Sequence, residues 1–176
     1  MSFIYHGVPE NMRGTTLMPL SMMQQEMPDL FQNQLKKYSG REEITERRID
    51  LLNCLWTEVV QFLPLHPQIV FDLQKTLGLI PEVPPYRFFE IDLSELDPAH
   101  AAIYFKTAEG EENSQVKRLD EVDWENLQGV PPATRKYYAS LVGTGELPFN
   151  YQFIPHVLYR GTVDISKARI IELSDQ

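Results

Sequence analysis

Proline and glycine cut this chain into short pieces, and that punctuation constrains its fold more than any single motif does. Pro9, Asn11 and Gly14 follow the first apolar stretch, Pro19 and Gly40 bound the next, and Pro64 and Pro67 close a third. Gly143, Gly145, Pro148, Pro155 and Gly161 divide the C-terminal part. Proline lacks the N–H that helix interiors and strand ladders use, and glycine favours turns, so short elements are expected between these points. Helical spacing dominates the first half and strand-like runs the last, which favours an α+β domain over a regularly alternating parallel sheet.

Alternation through Phe3 and Tyr5 predicts a short first strand. Residues 15–24 read as a loop entering a helix, with Ser21 as a candidate N-cap. Leu30, Phe31 and Leu35 recur at helical spacing up to Gly40, and a second helical pattern covers residues 42–53, so residues 28–57 are expected to form a helical insertion. A strand is expected at 58–63 and a helix at 68–78 with a terminal glycine. YRFFEIDLSEL is the clearest strand, AAIYF at 101–105 another. The polar stretch after it should be surface loop with one short turn from Val122 to Leu127. ATRKYYASLVG reads as a helix ending at Gly143, followed by two or three short strands.

A length of 176 residues suits one domain able to bury a core without disulfides or metal staples. With 43% hydrophobic and 23% charged residues the chain has an ordinary globular composition. The formal net charge of −9 argues against a surface coated in phosphate-binding cations. The Lys36, Lys37, Arg41, Arg47 and Arg48 cluster is diluted by Glu42, Glu43 and Glu46 and reads as a solvated helical face. No apolar run approaches the ~20 residues of a membrane span, and no secretory signal pattern opens the sequence, so a cytoplasmic location is expected. Cys54, the one cysteine, lies in LLNCLW and reads as an inert core thiol.

Motifs with strong chemical meaning are missing. His6, His66, His100 and His156 have no HxH or HExxH spacing, so a zinc site would have to be assembled by the fold. There is no GxGxxG, no GxxxxGK[ST] and no GxSxG elbow.

What remains is a pattern spread in order along the chain. IYHGVPENMRGTTLMPL resembles the first strand and following loop of ADP-ribosyltransferase-like proteins. VVQFLPLHPQIVF is similar to the aromatic, proline-punctuated strand and loop of the DarT-type branch, which modifies nucleic-acid bases. FFEIDLSELDPAHAAIYF and TGELPFNYQFIPHVLYRGTVDI are similar to that branch's later strand and terminal segment. The resemblance implies an ADP-ribosyltransferase-like α+β fold of two small packed sheets with a helical N-terminal half. It implies NAD as the bound cosubstrate and transfer of ADP-ribose to a macromolecular acceptor, nucleic acid or protein, as a toxin or defence enzyme with a possible neutralising partner protein. The arginine-rich NAD-binding loop of that branch has no clear counterpart here, and Arg13 and Arg41 are its candidates.

Cleaving the nicotinamide–ribose bond creates an oxocarbenium-like centre that a carboxylate can stabilise. Glu146, between Gly145 and Leu147 at the expected entrance to a strand, is the catalytic candidate; its alternative is an exposed hairpin glutamate. His6 is the second catalytic candidate, and the resemblance implies a role for Tyr5, His6 and Gly7 in binding NAD at the first strand; the alternative for His6 is a strand-end histidine satisfied by backbone. Strand alternation puts Tyr5 and His6 on opposite faces, so a ligand-facing His6 requires a core-facing Tyr5. Phe62, Tyr137 and Tyr138 are aromatics that could stack on nicotinamide or simply pack. His66 and His156 beside prolines are general-base candidates for a nuclease-like alternative. Glu90 and Asp92 share a strand face, and Glu172 is a further carboxylate. A non-catalytic binding or interaction module of the same fold is the principal alternative to transfer.

Overall fold

The computed structural model describes residues 1–175. At its centre lies β6 (Arg87–Asp92), in which Phe88, Phe89, Glu90 and Ile91 are all buried. A strand covered on both faces reads as a continuous apolar run, which is why RFFEI shows no polar alternation. It is flanked, antiparallel on both sides, by β1 (Phe3–Gly7) and β11 (Arg169–Glu172).

The second sheet has the order β5-β9-β7-β8, built from β5 (Val59–Phe62), β7 (Ala101–Phe105), β8 (Gln115–Lys117) and β9 (His156–Arg160). All its pairings are antiparallel. The two sheets meet where Tyr5 bridges Leu63, just beyond the end of β5. Their facing side chains share one core cluster: Ile4, Phe89 and Ile91 from the first sheet, Val60, Phe62, Ile103 and Val157 from the second. Burying each of these large side chains contributes about 1.5–3 kcal/mol. A two-stranded ladder of β2 (Thr16–Leu17) and β10 (Val163–Asp164) covers that core through Leu17 and Val163.

The other face of β1 and β6 carries a second cluster, with Tyr5, Leu63 and Phe88 packed under two helices. One is α3 (Gln68–Thr76), which buries Val70, Phe71 and Gln74. It ends where Gly78 takes φ +72°: the Gly78 N–H donates to Lys75 O and the Leu79 N–H to Gln74 O, both at 2.9 Å, a paired terminus that needs the left-handed residue. The other is α4 (Pro132–Leu141), which starts on Pro132, ends before Gly143 and buries Thr134, Tyr138 and Leu141 at i, i+4 and i+7.

The expected helical insertion at residues 28–57 is only partly helical. After α1 (Leu20–Glu26) and α2 (Pro28–Leu35) come single turns at Lys36–Tyr38 and Glu42–Glu46. A ladder of β3 (Arg48–Ile49) and β4 (Cys54–Leu55) follows, turned by Asn53 at φ 49°. Ile49, Leu52, Cys54 and Trp56 do point into a third core cluster, against Val59, Ala102 and Leu158. Their spacing imitates a helix because a tight turn folds the short ladder over one apolar surface. Three strands follow α4, as the sequence suggests, but none begins near Glu146: β9 starts at His156. The polar segment after β7 also contributes β8, which its sequence does not announce.

Candidate functional site

Ile4 and His6 share one face of β1, and His6 sits opposite Phe89 in the register with β6. The Ile4 side is the core. At His6 the core gives way to a cleft of about 710 Å³, because the chain leaves the sheet at Gly7 and next enters a strand only at β2, in the separate ladder with β10. His6 and Gly7 line this cleft, and the His6 ring lies edge-on to Phe62 with centroids 5.6 Å apart.

The His6 ring is held in one tautomer. Its Nδ1 lies 2.7 Å from the Gly7 carbonyl oxygen. A carbonyl can only accept, so Nδ1 carries the proton and Nε2 is an acceptor. Burial pushes the pKa of His6 down to about 4, against the raising effect of its hydrogen bond to the Gly7 carbonyl and with a further push down from the Lys37 charge. The ring is therefore neutral near pH 7 and able to accept a hydrogen bond from a hydroxyl or amide.

The opposite wall is the α1–α2 hairpin. Leu20, Met23, Met27, Leu30 and Lys37 line it, a stripe at helical spacing that faces the cleft rather than a core. Met18 adds to this surface, so Met18, Met23 and Met27 supply flexible apolar lining. From the sheet side come Trp56, Val60 and Gln61. Gln61 shows in the sequence only as a lone amide inside the apolar run VVQFL, while Trp56, Lys37 and Glu10 carry no sequence signal of the cleft. Arg13, Lys37 and Glu10 are the charged residues among the lining, besides neutral His6. Arg13 binds both carboxylate oxygens of Asp29 on α2, at 3.2 and 2.6 Å.

The sequence candidates thus divide. His6, Gly7 and Arg13 converge on the cleft. Tyr5 does not line it: it is buried on the reverse face, where burial and the neighbouring Glu90 carboxylate push its pKa up to about 12. Phe62 lies beneath His6, 1% exposed, as core. Arg41 donates to the Lys37 carbonyl at 3.0 Å and lies outside the lining. Tyr138 is fully buried, accepting from Gln74 Nε2 at 3.1 Å and donating to the Asn150 carbonyl, so it ties the following loop to α4 rather than facing a ligand. Tyr137 does the same through its hydroxyl, which accepts from the Phe149 N–H at 3.0 Å.

Glu146 occupies the exposed tip of that loop, with its own N–H on Thr144 Oγ1 at 3.1 Å. It does not line the His6 cleft; the carboxylate that does is Glu10. Loop 142–150 is irregular because Gly143 and Gly145 both take positive φ and Pro148 blocks a ladder.

The remaining titratable candidates have structural partners. Glu90 is buried and pairs with Arg169 at 2.7 Å, while Asp92 accepts from Ser94 N–H and Oγ–H at 2.9 and 2.7 Å. His66 Nδ1 accepts from the Gln68 N–H at 3.2 Å, and burial lowers its pKa. His156 Nδ1 donates to Ile154 O at 2.9 Å, and burial pushes its pKa down to about 4. Glu172 is exposed on β11. Cys54 is buried, which raises its thiol pKa and makes it a poor nucleophile. Among the described residues no three His, Cys, Asp or Glu side chains gather to hold a metal, and no helix is long and apolar enough to cross a membrane.

No protein-family model, curated protein or solved structure matches this chain.

Proposed function

We propose that the chain binds NAD in the His6 cleft, as a protein of ADP-ribosyltransferase-like plan. The observation that carries this reading is the state of His6: a neutral ring, fixed by the Gly7 carbonyl, with an accepting nitrogen on a residue that lines the cleft. A ribose hydroxyl is a suitable donor to it. The residues present fit the ligand: a cleft near 710 Å³ is within the ~300–1,000 Å³ of cofactor sites, and Arg13 and Lys37 offer positive charge to a pyrophosphate. Met23, Met27 and Trp56 supply apolar surface for the rings.

When bound, NAD would supply an activated ADP-ribosyl group for a protein or nucleic-acid acceptor. His6 orients, and a carboxylate is needed beside the reacting sugar. The position of Glu146 outside the cleft favours a second reading, a non-catalytic NAD-binding or interaction module.

Calorimetric titration with NAD, combined with assay of nicotinamide release, separates the two. Binding that is weakened at least tenfold by His6→Ala supports the cleft. Nicotinamide release lost in Glu146→Gln or Glu10→Gln identifies the carboxylate of a transferase. Binding without release in the parent protein selects an NAD-binding module, and absence of NAD binding rejects the transferase and favours an interaction module.

A further inference from the structure

The α1–α2 hairpin belongs to the cleft and not to the core. Neither helix contains a buried residue, and among the described residues none from Leu20 to Lys37 belongs to the three core clusters. The chain is anchored just before the hairpin, at buried Leu17 and Pro19, and Gly40 follows it at φ +79° with open space around its Cα. The far helix is tied to the β1–β2 loop by the two-pronged Arg13–Asp29 pair, which reaches the first turn of α2, and just beyond its other end Tyr38 packs against the third core cluster. Both side chains are more than half exposed, at 55% and 59%.

Arg13 is also one of the two cations lining the cleft. A guanidinium fork already occupied by a carboxylate cannot bind a phosphate in the same way. We propose that Asp29 is an internal competitor for the ligand: its carboxylate occupies Arg13 and holds the hairpin over the cleft, and a pyrophosphate-bearing ligand must take Arg13 from it. This rests on the reading of the His6 cleft as an NAD site and adds its regulation. Ligand entry and hairpin release become one event, driven by exchange of one anion for another on the same arginine.

Hydrogen exchange of the full chain, with titrations of NAD and inorganic pyrophosphate, tests it in two variants whose effects diverge. Asp29→Asn and Arg13→Gln both break the pair, so both speed amide exchange across residues 20–38 by about two- to fivefold, the range an exposed pair supports, while β5 and β9 stay unchanged. Their binding effects have opposite signs: Asp29→Asn tightens NAD and pyrophosphate by a similar factor, and Arg13→Gln weakens both. Unchanged exchange in the hairpin, or Asp29→Asn binding no tighter than the parent, overturns the competition and leaves the NAD site standing. Failure of every protein to bind NAD overturns the functional reading itself.

Discussion

Tyr5 and Leu63 exchange both backbone hydrogen bonds, Tyr5 N–H to Leu63 O at 2.9 Å and Leu63 N–H to Tyr5 O at 2.8 Å. This bridge joins the two main sheets and, one residue away on each strand, sets His6 edge-on to Phe62. Phe62 is thus the floor on which the cleft rests. Phe62→Ala should cost about 3–5 kcal/mol, read as a lowered urea midpoint, because the removed ring leaves a cavity shared by both sheets. A loss under ~1 kcal/mol would show that the sheets are held together elsewhere.

Half-buried neutral histidines make stability depend on pH. His6 and His156 have pKa values near 4 in the folded chain against an ordinary 6.5. Between those values the unfolded chain binds more protons, so stability rises with pH from about 4 to about 6.5 and levels off above. Urea midpoints measured across this range should follow that slope, and His6→Gln or His156→Gln should each flatten it. An imidazole proton signal of either ring titrating near 6.5 would contradict the assignment.

Tyr138 separates a packing role from a ligand role. Tyr138→Phe removes the acceptor for Gln74 and the donor to the Asn150 carbonyl, so the protein should lose about 1–3 kcal/mol. NAD affinity, measured by calorimetry, should stay within twofold of the parent. A selective loss of affinity without loss of stability would return Tyr138 to the binding residues.

Glu90 is a buried carboxylate whose cation is largely in solvent, with the Arg169 side chain 71% and the Glu90 side chain 8% exposed. Arg169→Met should destabilise by about 1–3 kcal/mol in thermal unfolding, since the remaining charge keeps Tyr5 as a neighbour but loses its counter-ion. Glu90→Gln in the same background should recover part of it. Additive losses would mean that the pair is uncoupled.

The sequence exposes whatever has a local cause. Gly78 and Gly143 mark real helix ends, RFFEID and AAIYF are strands, and Tyr5 and His6 face opposite ways because a pleated strand allows nothing else. It misleads where a tertiary surface imitates a period, as in IDLLNCLW, whose apolar residues meet one core cluster through a turn at Asn53. The cleft was half legible for the same reason. His6, Gly7 and Arg13 are neighbours in sequence and stay together, whereas Gln61 and Trp56 arrive with β5 and the turn before it, and Lys37 with the end of the hairpin. Tyr138, one of the aromatics that could stack on nicotinamide or simply pack, is buried by the packing of α4, which single-residue chemistry cannot reveal.

Backbone and side-chain chemical shifts followed during NAD titration report ligand contact residue by residue. Saturable shifts are expected at His6 and Gly7, the Gln61 side-chain amide and the Trp56 indole, with Glu146 and Tyr138 unmoved. No saturable shift at any of these groups, or shifts confined to the 142–150 loop, would contradict NAD binding in the His6 cleft.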